Sequence, residues 1–170
     1  MRTDVITEFI DQALYRIREN IQKLIKCLDE LDESEIWKRP NQHSNSVGNI
    51  MLHLCGNIRQ YAIASLGHKK DTRERDKEFL ADGDYSKEEL LNKFHSILEE
   101  AISIIENISP EDLLRKRQVQ GFSYSGIGIV IHVTEHLSYH TGQIIFWTKL
   151  LRNKDLGFYA GVNLNAKNEN

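Results

Sequence analysis

The chain has 170 residues, 40% of them hydrophobic and 28% charged, with a formal net charge of -3. That is enough sequence for one domain with a buried core, and the near-neutral balance gives no basic footprint for nucleic acid. No apolar run is long enough to span a bilayer and no signal-like apolar stretch follows Met1. The two cysteines, Cys27 and Cys55, lack Cys-x-x-Cys spacing, which excludes a zinc ribbon and a multi-bridge disulfide framework. Free thiols without a leader point to the cytoplasm.

Pro40 and Pro110 are the only prolines and both lie between periodic segments, so long uninterrupted helices are permitted. Ile10, Leu14, Ile17, Ile21, Leu24, Leu28 and Leu31 alternate spacings of four and three, predicting a first helix over residues 4–32. The acidic run Asp29 to Glu35 ends it. Ser44, Asn45 and Ser46 are N-cap candidates for a second helix carrying Val47, Ile50, Met51, Leu54, Ile58 and Tyr61. Gly67 and the polar run from His68 to Glu78 end that helix, and the run reads as a charged, solvated connection.

Ser86-Lys87-Glu88-Glu89 has the form of a capping box, opening a third helix with Leu90, Leu91, Phe94, Ile97, Leu98, Ile102 and Ile105. Ser109-Pro110-Glu111 fits a short helical turn, because Pro suits the first helical position. Residues 115–124 read as extended or irregular, and the last strong segment runs from about Gly126 to Leu151. The expected architecture is all-α: an antiparallel four-helix bundle with a long middle connection over residues 1–155, followed by a loosely ordered tail over 156–170.

His132, His136 and His140 are the chemically informative residues of the fourth helix. At ~100° per residue they form one ridge, continued by Gln143, on the side that carries Ile129, Val133, Ile144, Trp147 and Leu151. Burying an unpartnered polar group costs roughly 2–7 kcal/mol depending on reference state, so three imidazoles facing a core need a partner. A metal ion is one, since neutral imidazoles four apart on a helix converge on a single ion. The outer two histidines rise ~12 Å apart, too far for bonds of about 2 Å. One adjacent pair binds at most, and spacing leaves open which.

A third ligand must come from another helix. His43, His68 and His95 lie in or near polar segments, whereas His53 sits mid-helix beside an apolar stripe. His53 is therefore the natural third ligand. Asn57, one turn on, is placed to orient a ligand, and Cys55 is rotated ~200° away from His53. Taken alone, a single histidine such as His53 is more often a satisfied core or edge residue; its coincidence with the ridge changes the balance. His132 keeps a structural reading, and Gln143 is either a hydrogen-bond partner to a ligand or a polar residue at the rim.

The segments Asn45-Ser46-Val47-Gly48-Asn49-Ile50-Met51-Leu52-His53-Leu54-Cys55-Gly56-Asn57-Ile58-Arg59-Gln60 and His132-Val133-Thr134-Glu135-His136-Leu137-Ser138-Tyr139-His140-Thr141-Gly142-Gln143 resemble the DinB/YfiT-like superfamily of metal-binding four-helix bundles. With Trp37, Arg39-Pro40 and Arg73-Glu74-Arg75-Asp76-Lys77-Glu78-Phe79, the chain is similar to the DUF1572 branch over most of residues 5–152. The resemblance implies a metal triad of one histidine in the second helix and an i, i+4 pair in the fourth, which here match His53, His136 and His140. One common variant has Arg before the Gly-Gln pair; Thr141 stands there in this chain and removes a cation beside the site.

Some relatives are transferases or isomerases using bacillithiol, mycothiol or glutathione. Three neutral ligands leave a coordination position open, which is the catalytic pattern, and leave the ion's charge to lower the pKa of bound water or thiol. The expected function is thus a divalent-metal-dependent transfer of a low-molecular-weight thiol to small electrophiles. The alternatives are a metal-dependent hydrolase and a non-catalytic, metal-stabilised stress or ligand-binding protein. Three imidazoles suit zinc, nickel, iron or manganese. Glu135 is rotated ~100° from His136 and is expected to miss the site. The resemblance also implies a homodimer, with which Phe146 and Trp147 are compatible.

Overall fold

The computed structural model describes residues 4–168. Helix α1 (Asp4–Glu30) buries Ile10, Leu14, Ile17, Leu24 and Leu28 along the anticipated seam; each such side chain contributes roughly 1.5–3 kcal/mol when fully removed from water. Beyond it, the acidic run forms its own turn of helix, α2 (Glu33–Ile36), where the Asp32 N–H donates to the Glu35 carboxylate at 2.8 Å. Trp37 follows, with its indole N–H on the Tyr85 carbonyl at 2.9 Å. Its ring lies so close to Gly48 that a Cβ there would meet it at 2.8 Å.

Helix α3 (Val47–Ile58) starts at Ser46, whose Oγ accepts from the Asn49 N–H while the Asn49 side-chain oxygen accepts from the Ser46 N–H, each at 3.1 Å. The helix does not end at Ile58. Its backbone widens into a π-helical extension over Arg59–Leu66, closed by the Gly67 N–H on the Ala62 carbonyl at 3.0 Å. The wider turn buries Tyr61, Ala62, Ile63 and Ala64 in succession. The following connection holds a short helix, α4 (Arg75–Leu80).

Helix α5 (Lys87–Glu106) opens on the anticipated capping box, with the Ser86 N–H on Glu89 at 2.8 Å and the Glu89 N–H on Ser86 Oγ at 3.2 Å. Helix α6 (Pro110–Leu114) has Ser109 as its cap and Pro at its start. Next come two antiparallel strands, β1 (Lys116–Val119) and β2 (Phe122–Ser125), paired Val119 to Phe122 and Lys116 to Ser125. Gln120 (φ 51°) and Gly121 (φ 82°) form the turn, as a two-residue hairpin with positive φ at both positions requires. The fold is therefore mostly helical but not all-α: the stretch read as extended or irregular pairs with itself.

Ser125 then caps α7 (Gly126–Arg152), which ends at Asn153 in the left-handed conformation. Four long segments make the core: α1 packs on α7 and α5, and α3 packs on α5 and α7. Beyond α7, Leu156 is buried and Lys23 reaches the Tyr159 hydroxyl at 3.2 Å, so the start of the tail lies on α1. Among the described residues no helix is long and apolar enough to cross a membrane.

Candidate metal centre

The contact between α3 and α7 brings together His53, His136 and His140, each offering one ring nitrogen, with the three nitrogens within 4.8 Å of one another. His53 Nε2 and His136 Nε2 are 3.1 Å apart. Ring centroids are separated by 4.9 Å (His53–His136), 5.0 Å (His53–His140) and 4.5 Å (His136–His140). Metal–nitrogen bonds of about 2.1 Å in a tetrahedral set place ligand nitrogens about 3.4 Å apart. The His53–His136 pair is already near that spacing, and the group fits one ion once its wider pairs, within 4.8 Å, draw in toward it. Among the described residues no fourth His, Cys, Asp or Glu joins it.

The nitrogens turned away from this centre are largely engaged. His140 Nδ1 lies 2.8 Å from the Gln143 side-chain oxygen, an i, i+3 contact on one helix face. A proton on that nitrogen leaves Nε2 with its lone pair free. His53 Nδ1 is 3.0 Å from Glu78 Oε2. His136 Nδ1 is buried without a hydrogen-bond partner among the described residues.

His132 sits one turn from the triad and does not join it. Its ring stacks on Tyr61 at 3.9 Å, and its Nε2 meets the Asn57 amide nitrogen at 3.1 Å. Asn57 was expected to orient a metal ligand; it holds His132 instead, because both lie a turn away along their helices. Gln143 contacts a triad histidine. Thr141 is buried, with its hydroxyl on the Leu137 carbonyl at 2.7 Å. Glu135 is exposed and lines a groove with the α1 residues Phe9 and Gln12, and it is not part of the three-nitrogen group. His43, His68 and His95 are exposed.

Glu78 and Arg73 were read as part of a solvated charged run, and the structure corrects that. Glu78 is 8% exposed and the Arg73 side chain 3%. Arg73 donates to both Glu78 oxygens, Nε to Oε1 and Nη2 to Oε2, each at 2.8 Å. Gly56 makes room for them, since a Cβ there would lie 1.9 Å from Glu78 Oε1. Phe79 also packs on His53, with centroids 5.0 Å apart. One sequence signal existed: Gly56 one turn above His53, facing a run with alternating acids and bases. A single charged run cannot say which of its members turns inward.

Burial lowers the pKa of His136 to about 3, helped by the neighbouring His140, His53 and His132 rings and by Arg73. Burial also lowers His140, with His53 adding to it and the Gln143 hydrogen bond opposing it, and burial lowers His132. Neutral imidazole is the ligating form, so these rings are ready for a metal near neutral pH. For Glu78, burial pushes the pKa up, but the hydrogen bonds from Arg73 and His53 outweigh it and hold the group below its usual range. Both cysteines are buried; burial raises Cys27, and raises Cys55 to about 12. A groove of about 520 Å³ lies behind Arg73 and Glu78, bordered by Cys55, Gly56, Arg59 and Lys93 and by none of the triad.

The family described as a protein of unknown function (DUF1572) matches residues 4–160. Among solved structures, a DinB-like protein from Bacillus cereus ATCC 10987 is similar with a TM-score of 0.67 and 14% identity, covering 84% of this chain and 92% of that one. The DinB-like protein YjoA from Bacillus subtilis is similar with a TM-score of 0.67 and 16% identity, covering 87% and 96%. No curated protein matches the chain. At such identities the likeness speaks for the fold alone. The family match spans nearly the whole chain, and the chain belongs to the DUF1572 family with a DinB-like fold.

Proposed function

We propose that the protein holds one divalent ion, zinc, nickel, iron or manganese, with His53, His136 and His140, and uses it to transfer a low-molecular-weight thiol to small electrophiles. In this reading α1, α3 with its π-helical extension, α5 and α7 form an antiparallel four-helix bundle around the site. The observation that carries the metal reading is the three-nitrogen group, open to a further ligand because no fourth protein ligand joins it among the described residues. A bound ion supplies Lewis acidity that makes a thiol or water nucleophilic near neutral pH. Burial favours the neutral, ligating form of His136 and His140, and Gln143 aims His140.

Two points favour an added thiol over one of the chain's own. Cys27 and Cys55 are buried, with pKa values raised by burial, so neither is poised as a nucleophile. Some members of the superfamily that the sequence resembles use such thiols. The test is metal content by elemental analysis, with conjugation of glutathione and bacillithiol to a panel of electrophiles. Wild type is expected to carry about one ion per chain and exceed the uncatalysed rate, with His53→Ala losing both. Unchanged metal in His53→Ala would remove the triad assignment. Metal without any conjugation would remove the transferase reading and leave hydrolysis or a non-catalytic role.

A homodimer is part of the same reading. Ile131, Tyr139, Phe146 and Leu150 are exposed on α7 and fall within an arc of about 100°, whereas Trp147 packs against the core. Sedimentation equilibrium is expected to give twice the chain mass, and Phe146→Glu with Leu150→Glu to give the single chain.

A further inference from the structure

We propose that Glu78, held by Arg73, is a positioning residue that fixes His53 with its proton on Nδ1 and its lone pair on Nε2. This rests on the metal reading and adds to it the connection between α3 and α5, which contributes no ligand.

Two proton arrangements fit the atoms around His53. In one, Nδ1–H donates to Glu78 Oε2 at 3.0 Å, and Nε2 presents a lone pair toward His136 and His140. In the other, Nδ1 accepts from Arg73 Nη2 at 3.1 Å, and the Nε2 proton points at His136 Nε2, also 3.1 Å away. The second arrangement closes the site, because a protonated nitrogen cannot ligate. A guanidinium only donates and a carboxylate only accepts, so the two residues pull the histidine toward opposite tautomers. Glu78 decides for the open one, and Arg73 acts on the carboxylate by fixing both of its oxygens.

The carboxylate is also fixed from its backbone. Asn49, fully buried, donates from its side-chain nitrogen to the carbonyls of Glu78 at 3.1 Å and Ala81 at 2.8 Å. Asn49 and His53 lie one turn apart on α3, so one helix face holds both the ring and the backbone of the residue that orients it. Gly56 leaves the space in which the carboxylate sits. Removing the partner of a ligand histidine typically weakens metal binding 10–100-fold. Here the loss has an ordering that fold damage would not produce. In Glu78→Ala, Arg73 remains to favour the closed tautomer. Replacing both as Arg73→Met with Glu78→Leu removes the bias in either direction, and apolar replacement of a buried ion pair is often neutral for stability.

The experiment is zinc affinity by chelator competition for wild type, His53→Ala, Glu78→Ala and the double variant, with nitrogen-15 NMR of the histidine rings in zinc-loaded wild type. Affinity is expected to fall about 10–100-fold in Glu78→Ala and less in the double variant. The NMR spectrum is expected to show His53 protonated on Nδ1 and bound through Nε2. Binding by both Glu78 variants as tight as wild type, or zinc on His53 Nδ1, overturns the assignment. The NMR result needs no variant to fold. If wild type binds no zinc or any other divalent ion, the metal reading itself has failed, a result distinct from wild-type affinity in the Glu78 variants.

Discussion

His136 is crowded by three other imidazoles, with His53, His132 and His140 centred 4.9, 5.3 and 4.5 Å from it. Its pKa of about 3 follows from burial first and from those neighbours second. In the unfolded chain a histidine titrates near 6.5. Between these values the unfolded state binds the extra proton, so stability rises with pH across that window. It is therefore lost as pH falls below about 6.5, with a slope of at most about 1.4 kcal/mol per pH unit per histidine. His140 and His132 shift in the same direction. Glu78, lowered in the fold, adds a further loss below the usual carboxylate range. Urea denaturation of metal-free protein is expected to show a lower midpoint at pH 5 than at pH 7.5. His136→Ala should flatten that difference.

At the scale of elements, Asn49 ties α3 to α4 and the residue that follows it by hydrogen bonds. Its side chain satisfies the Ser46 N–H at the cap and two carbonyls of the connection. Asn49→Ala strands those buried groups, each costing roughly 1–3 kcal/mol when left unpaired. Hydrogen exchange is expected to quicken over residues 75–81 and zinc affinity to fall with it. Ser86→Ala is the contrasting change. It removes the α5 cap, costs about 1 kcal/mol, and should leave zinc affinity unchanged because α5 contributes nothing to the site. The α5 cap was readable from Ser86 and Glu89 because both partners lie within one turn. The role of Asn49 was not, because its acceptors lie 29 and 32 residues away.

For the whole molecule, the proposed centre draws its ligands from two helices, so an ion held there would tie metal binding to folding. A ligand at 100 times its Kd that binds only the folded state stabilises by about 2.7 kcal/mol, which raises Tm by roughly 5–10 °C for a chain of this size. Differential scanning calorimetry with added zinc is expected to show that rise in wild type and not in His136→Ala. Arg152 supports the same architecture from the far end of α7, through the Glu30 carbonyl and the Glu35 carboxylate. Arg152→Ala should lower Tm without touching zinc affinity.

The helices were legible in sequence because their signals are local: apolar residues at helical spacing, a cap and its partner within a turn, a proline at a helix start. The ridge of His132, His136 and His140 was legible for the same reason, as was the limit of one adjacent pair per ion. Packing decided the rest. The approach of α3 to α7 puts His53 beside His136 and His140 and leaves His132 stacked on Tyr61 and bonded to Asn57. Folding of the 67–86 connection onto α3 turns Arg73 and Glu78 inward behind His53. A one-dimensional charge pattern records that these residues are ionisable, but only a neighbour fixed by distant packing determines which of them loses its water.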